Sequence, residues 1–365
     1  MDKLLTNKYG VKGAVQRADA KLTLALRKTV SNPLLHYLIF GVIMCVIGYI
    51  AKQNTGVIPY SWESGLARTF AYSIASVGFC LLMGYSGLAS LGTGGFIGIG
   101  TYAMYYIMGV LDLPFALAVV VAIAIAALVG IIVGFISLRI EGIYLVILTL
   151  GLSEILRQIY VAVEDNISIS RFKVFIETIT TRSVTIYYVM VALIIVMIVT
   201  TNLINSPTGR AMLAMKNSTS AAQAMGISLI KYRLLAFVLC TVYAALSGVM
   251  YMVTTRSVMA SDANGTYALI TSLNILAAVI IGGYKSVWGA VFGTFIMYGL
   301  QTTLLQQVNF LADNPIIITF FSGILVIVVV MFFPGGVAQL LVELKGLIKK
   351  LIKKIREGRY GKDLG

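Results

Sequence analysis

Long apolar blocks separated by short polar stretches set the pattern of this chain. A helix needs about 20 apolar residues to cross about 30 Å of hydrocarbon. Ten blocks approach that length: 34–50, 66–83, 94–109, 114–136, 142–161, 184–204, 233–254, 266–282, 287–305 and 315–333. The third, eighth and ninth are short or interrupted by glycine, which predicts broken or partly re-entrant helices. The expected fold is an all-α polytopic membrane protein of about ten transmembrane helices. The long polar interruption at 205–232 has helix signals of its own. Ser206 suits an N-cap and Pro207 the first helical position. Ser220-Ala221-Ala222-Gln223 reads as a capping box, with the Ser220 hydroxyl taking the Gln223 N–H. Gly226 suits the left-handed end of a helix. These signals predict a short helix over Ala221–Met225, either displayed to a partner or folded as an ordered loop.

Composition agrees with the pattern. The chain of 365 residues is 59% hydrophobic and 12% charged, against about 25% charged in soluble domains. Its net charge of +14 gathers at both ends and in 205–232, which points to a topology signal and an anionic lipid surface rather than to nucleic acid. With an even number of spans the termini share a side. The positive-inside rule then places both termini and 205–232 in the cytoplasm, and the polar loop 164–183 outside. Residues 1–33 form a basic cytoplasmic segment, 34–333 the transmembrane domain and 334–365 a basic tail. Val11, Val15, Ala18, Leu22 and Leu26 recur at helical spacing, giving an interfacial helix or an unstructured tail. Leu344, Leu347, Ile348, Leu351, Ile352 and Ile355 make a stripe opposite the C-terminal lysines, as in a helix lying on anionic lipid. No cleavable signal peptide is expected, since the first apolar run begins after Pro33 with no small-residue cleavage site behind it.

Little in the sequence supports catalysis. Cys45, Cys80 and Cys240 fall inside apolar blocks and form no disulfide framework. His36 is the single histidine, which excludes motifs needing two and leaves an intramembrane hydrolase without a placed base. There is no phosphate-binding GxxxxGK[ST] loop. Gly98-Ile-Gly100-Thr-Tyr-Ala103 matches a dinucleotide fingerprint only by its letters, with no strand before it. Asp112, Asp165, Asp262 and Asp313 are loop residues. Arg139 and Glu141 flank a turn, and Arg68 suits a snorkelling position. Glu154 and Arg157 share a helix face; they either line a polar path or form a structural ion pair. The pairs Gly94/Gly98, Gly130/Gly134 and Gly289/Gly293 allow close helix contact in lipid. Gly84-Tyr85-Ser86-Gly87 and Gly282-Gly283-Tyr284-Lys285-Ser286 look alike, as two related halves would.

Four segments together resemble the branched-chain amino acid ABC transporter permeases, specifically the longer of their two permease subunits. They are GYSGLASLGTGGFIGIGTYAMYYI (84–107), LRIEGIYLVILTLGLSEILRQI (138–159), SPTGRAMLAMKNSTSAAQAMGISLIKYRLLAF (206–237) and IGGYKSVWGAVFGT (281–294). The resemblance covers most of residues 80–300. It implies a type II ABC importer-like fold in a bacterial-type plasma (inner) membrane. It also implies a non-enzymatic subunit working with a second permease subunit, two cytoplasmic ATPases that bind ATP and Mg, and an extracytoplasmic solute-binding protein. The chain itself would need no cofactor. By that resemblance the ATPase docks on Arg210, Ser220, Ala221, Ala222, Gln223, Ala224, Met225 and Gly226. The path is expected around Gly84, Tyr85, Ser86, Gly87, Gly92, Gly94, Gly95, Gly282, Gly283, Ser286 and Gly289, with Glu154 and Arg157 as gate candidates. The sequence departs from the family where Asn217-Ser218-Thr219-Ser220 carries no carboxylate, at Lys285 in place of a glycine, and at Ala290 in place of a proline. Branched-chain or other amino acids are the expected solutes. Permeases for nucleosides, simple sugars or urea share much of the pattern, and an ion-coupled secondary transporter is the more distant alternative.

Overall fold

The structure is a computed structural model that describes residues 36–44, 61–137, 143–169, 172–173, 178–179, 185–262, 265–303 and scattered positions between 317 and 337. Residues 36–44 are helical. The elements that follow are α1 (Ser61–Leu81), α2 (Thr93–Met104), α3 (Phe115–Ser137), α4 (Ile143–Val163), α5 (Thr185–Asn205), α6 (Pro207–Asn217), α7 (Thr219–Ala224), α8 (Leu229–Thr255), α9 (Leu269–Gly282), α10 (Val287–Thr294) and α11 (Leu300–Thr303). Wider π-helical turns extend α1 through Leu82–Ser86, α2 through Tyr105–Val110 and α10 through Phe295–Gly299. The fold is the expected all-α polytopic one. Among the described residues, five helices are long and apolar enough to cross a bilayer: α1, α3, α4, α5 and α8. The basic end segments, Arg139, Glu141 and Asp313 lie outside the described residues, as do most of the tenth apolar block and the two ends of the first.

Burial separates centre from periphery. The apolar part of α1 is 89% buried, against 22% for α3 and 17% for α4. The central helix is therefore rich in small and hydroxyl side chains, with Ala67, Ala71, Ser73, Ala75 and Ser76 all enclosed. The outer helices turn Val120, Ile132, Tyr144 and Ile147 outward. Between helices in lipid no hydrophobic drive operates, so close contact depends on small residues. α8 packs on α1, α2 and α3 through such a surface. A Cβ at Gly100 would collide with the Ala245 carbonyl, and one at Gly248 with the Ile97 carbonyl. The three predicted glycine pairs also lie at close contacts: Gly94 and Gly98 on Tyr267 and Tyr160, Gly130 and Gly134 on Thr241 and Phe237, Gly289 and Gly293 on α9.

The expected helix breaks do not fall where the glycine-rich blocks predict them. The third and ninth apolar blocks are not broken: α2 and its π turn run unbroken from Thr93 to Val110, and α10, its π turn and α11 from Val287 to Thr303, while the eighth is short, with α9 beginning only at Leu269. The irregular backbone precedes α2, at 87–92, where Gly87 adopts a left-handed φ of 74° and ends α1. The polar loop 164–183 is partly extended. β1 (Asn166–Ser168) pairs antiparallel with β4 (Ser257–Met259), and β2 (Phe172–Lys173) with β3 (Thr178–Ile179). Ile167 and Val258 face each other, both buried, and anchor the first ladder. Beside it, the Asp165 carboxylate accepts the Ser261 N–H at 2.6 Å and the Ser261 hydroxyl at 2.7 Å. This strand end of the bundle is opposite the end that carries α6 and α7.

Candidate functional site: the α6–α7 loop and the junction beneath it

Between α5 and α8 the chain makes two short helices. Ser206 is extended, its hydroxyl accepts the Gly209 N–H at 3.4 Å, and Pro207 takes the first helical position, as its ring and missing N–H favour. α6 turns Met212 and Met215 into the bundle. Ser218 (φ −156°, ψ 112°) then ends one helix and starts the next. Its N–H donates to the Ala214 carbonyl, and its hydroxyl accepts the Ala221 N–H at 3.3 Å. The capping box expected at Ser220–Gln223 is therefore not the one used. The extended residue is Ser218, so the free N–H groups belong to the turn just after it, and Ser220 lies exposed inside α7. Gly226 behaves as expected, with φ 79°. The Ile227 N–H reaches Ala222 and the Gly226 N–H reaches Gln223, which closes the helix end as a Schellman motif. Within α7 only Ala222 is buried, at 2%, while Met225 just beyond it is 80% exposed. Arg210 donates to the Asn205 carbonyl at 3.2 Å and braces the end of α5.

Beneath α6 the two look-alike glycine segments meet. Gly84 packs on the Tyr284 carbonyl too closely for any side chain. The Cys80 thiol donates to that carbonyl at 3.2 Å, and the Tyr85 hydroxyl donates to the Lys285 carbonyl at 2.9 Å. Gly282 and Gly289 bring α9 and α10 into backbone contact, and the Ser286 hydroxyl caps α10 by accepting the Gly289 N–H. Lys216, which the sequence reading did not single out, reaches into this junction. Its ammonium donates to the carbonyls of Gly84 at 2.7 Å and Met83 at 3.2 Å and stands 4.5 Å over the Tyr284 ring. Burial, and then the charge of Lys285, draw it below the usual lysine range.

Gly92, Gly94 and Gly95 form a second cluster, inside the bundle. The start of α2 leaves backbone N–H groups without helical partners, and hydroxyls of α4, of α9 and of the stretch just before α2 take them. The Leu91 N–H donates to Thr149 at 3.1 Å, Gly94 to Ser272 and Gly95 to Ser153, both at 2.8 Å, and Gly92 to Ser90 at 3.2 Å. Thr149, Ser153 and Ser272 were not identified from the sequence; lone hydroxyls in apolar helices carry no local pattern. Ser86 and Thr93, at the two ends of the irregular stretch, have buried hydroxyls with no hydrogen-bond partner among the described residues.

Glu154 and Arg157 join neither cluster. They pair with each other at 2.6 Å, Gln158 adds to Glu154, and Arg157 contacts the Ala260 carbonyl by the strand end. Near that end a cavity of about 580 Å³ is lined by Tyr72, Tyr251, Thr266, Thr271, Asn274 and Gln301, among others.

A bundle of apolar helices in glycine-tight contact, with an ordered helical loop at one end, defines an all-α polytopic membrane protein. The chain belongs to the family described as "Branched-chain amino acid transport system / permease component", whose model matches residues 61–330. It is 28% identical over 294 residues to the high-affinity branched-chain amino acid transport system permease protein LivM of Escherichia coli K12, covering 69% of this chain and 67% of that protein. It is 27% identical over 292 residues to LivM of Salmonella typhimurium LT2, with the same coverage. No solved structure matches it.

Proposed function

We propose that this chain is a membrane subunit of an ATP-driven ABC importer for branched-chain or chemically similar amino acids, in a bacterial-type inner membrane. The observation that carries the reading is the α6–α7 loop. Two capped helices are ordered against the bundle, with a methionine left 80% exposed at the tip. An exposed apolar side chain on a rigid polar knob suits a partner's pocket, and in this family's class of machine the partner is an ATPase. The loop then lies on the cytoplasmic face, as its Arg210, Lys216 and Lys231 favour, and the strand end faces outward. The basic segments 1–33 and 334–365 share the cytoplasmic side and bind anionic lipid. A second permease subunit, two ATPases holding ATP and Mg, and an extracytoplasmic binding protein complete the assembly.

The solute route begins in the strand-end cavity and passes the 87–92 stretch, where Ser86 and Thr93 offer hydroxyls to a polar traveller. Irregular backbone at membrane depth is tolerated where protein encloses it or where it lines a cavity. Glu154 and Arg157 stand beside the outer part of that route. Import by alternating access follows when ATPase closure displaces α6 and α7 relative to the junction below.

Ala222 is buried, so a docking test belongs on the exposed face. In the assembled complex, Ala224→Arg with Met225→Glu is expected to weaken ATPase co-purification and solute-stimulated ATP hydrolysis by about tenfold or more, the scale of a lost interface hot spot. Full retention of both would remove the docking reading.

A further inference from the structure

Lys216 is the basic residue in the last turn of α6, and its side chain leaves its own helix to touch two others. Its ammonium donates to the carbonyls of Met83 and Gly84, in the π turn that ends α1. Carbonyls in a last helical turn lack donors from their own helix, so a cation there satisfies both charge and hydrogen bonding. The same ammonium stands over the Tyr284 ring at 4.5 Å, within cation–π range. The methylene stem lies against Gly87, where a Cβ would approach Lys216 Cγ to 3.2 Å. One side chain thus ties α6 to the end of α1 and to the turn between α9 and α10. Those two segments are already bound to each other through Cys80, Gly84, Tyr85 and the 284–285 carbonyls. The unwound stretch 87–92 begins at the point Lys216 grips.

We infer that Lys216 is the positioning residue through which movement of the α6–α7 loop is passed to the 83–87 and 282–286 junction at the inner mouth of the path. This rests on the reading of α6–α7 as the ATPase-docking loop, and adds which side chain carries the motion inward. Met212 and Met215 hold α6 on the bundle by apolar contact, which permits sliding. The Lys216 contacts are directional, so α6 cannot shift along its axis without drawing Gly84 and Tyr284 with it or breaking them. Partly buried, and beside Lys285, the ammonium is held in place by these two carbonyls and the ring.

The test uses the assembled importer in liposomes and measures solute taken up per ATP hydrolysed. Lys216→Met keeps an apolar stem and removes the donors. It is expected to retain bound ATPase and to lower uptake per ATP by about tenfold, the scale of a charged hydrogen bond lost. Lys216→Arg, which restores cationic donors, is expected to recover most of the ratio, and Tyr284→Leu to lower it less than Lys216→Met. These milder variants read the same ratio should Lys216→Met fail to assemble. An unchanged ratio in Lys216→Met, or in Tyr284→Leu if that is the variant that assembles, overturns the inference and leaves the docking reading standing. Loss of ATPase binding in Lys216→Arg overturns it too, by making Lys216 a docking contact. Failure of the docking reading itself shows separately, as Ala224→Arg with Met225→Glu leaving ATPase binding intact.

Discussion

The smallest residues decide this fold most strongly. Gly100 and Gly248 let α2 and α8 meet backbone to backbone, where an added methyl group would strike a carbonyl on the facing helix. Gly100→Ala should therefore cost about 1–3 kcal/mol as overpacking. Gly151→Ala, at a helical site with open space around the new Cβ, should be neutral or stabilising by about 0.4–1 kcal/mol. Apparent unfolding temperatures in detergent check the pair: a fall for the first and none for the second. The four-residue glycine pairs were legible because small residues at that spacing share a helix face. Gly100 and Gly248 were not, because their partner residues are remote in sequence. Lys216 was equally hidden, one lysine in a basic loop, until folding brought two carbonyls and a ring beneath it.

At the scale of elements, local chemistry fixed where helices stop better than which residue caps them. Ser206, Pro207 and Gly226 act as the sequence predicts. Ser218 displaces Ser220 as a cap because a run of hydroxyl residues offers several equivalent caps, and only the backbone bend selects one. The β1–β4 ladder was illegible: its strands are three residues each, too short for an alternation to show. Asp165 locks this ladder. Its hydrogen bonds from the Ser261 hydroxyl and then the Ser261 N–H hold its carboxyl below the usual aspartate range. A depressed folded value means the stabilisation is full above the unfolded pKa, about 3.9, and is lost as pH falls through the lower folded value. Amide exchange at Ile169, Ala260 and Ser261, corrected for intrinsic rates, should accelerate across that acidic window. Asp165→Asn should remove the step, and a pH step that survives in Asp165→Asn would contradict this assignment.

For the whole molecule, apolar block length revealed the helical membrane fold and the order of its helices. It did not reveal which helices are central. α3 is the most apolar of the five long helices, yet it is peripheral, while the less apolar α1 is the enclosed one. Lipid-facing helices must be apolar all round, whereas enclosed ones can use serine, threonine and glycine for packing and hydrogen bonds. The irregular stretch at 87–92 was misplaced by a few residues for a related reason. Glycine-rich sequence such as 92–100 serves close packing inside an intact helix as readily as it breaks one. The central claim is that this bundle moves solute only when an ATPase drives it through α6 and α7. Reconstituting the chain in liposomes, alone and with the proposed permease, ATPase and binding-protein partners, and following labelled leucine, isoleucine and valine, tests it most directly. The account predicts uptake only in the full assembly and only with ATP. Sustained uptake by the chain alone, driven by an ion gradient without ATP, would contradict it.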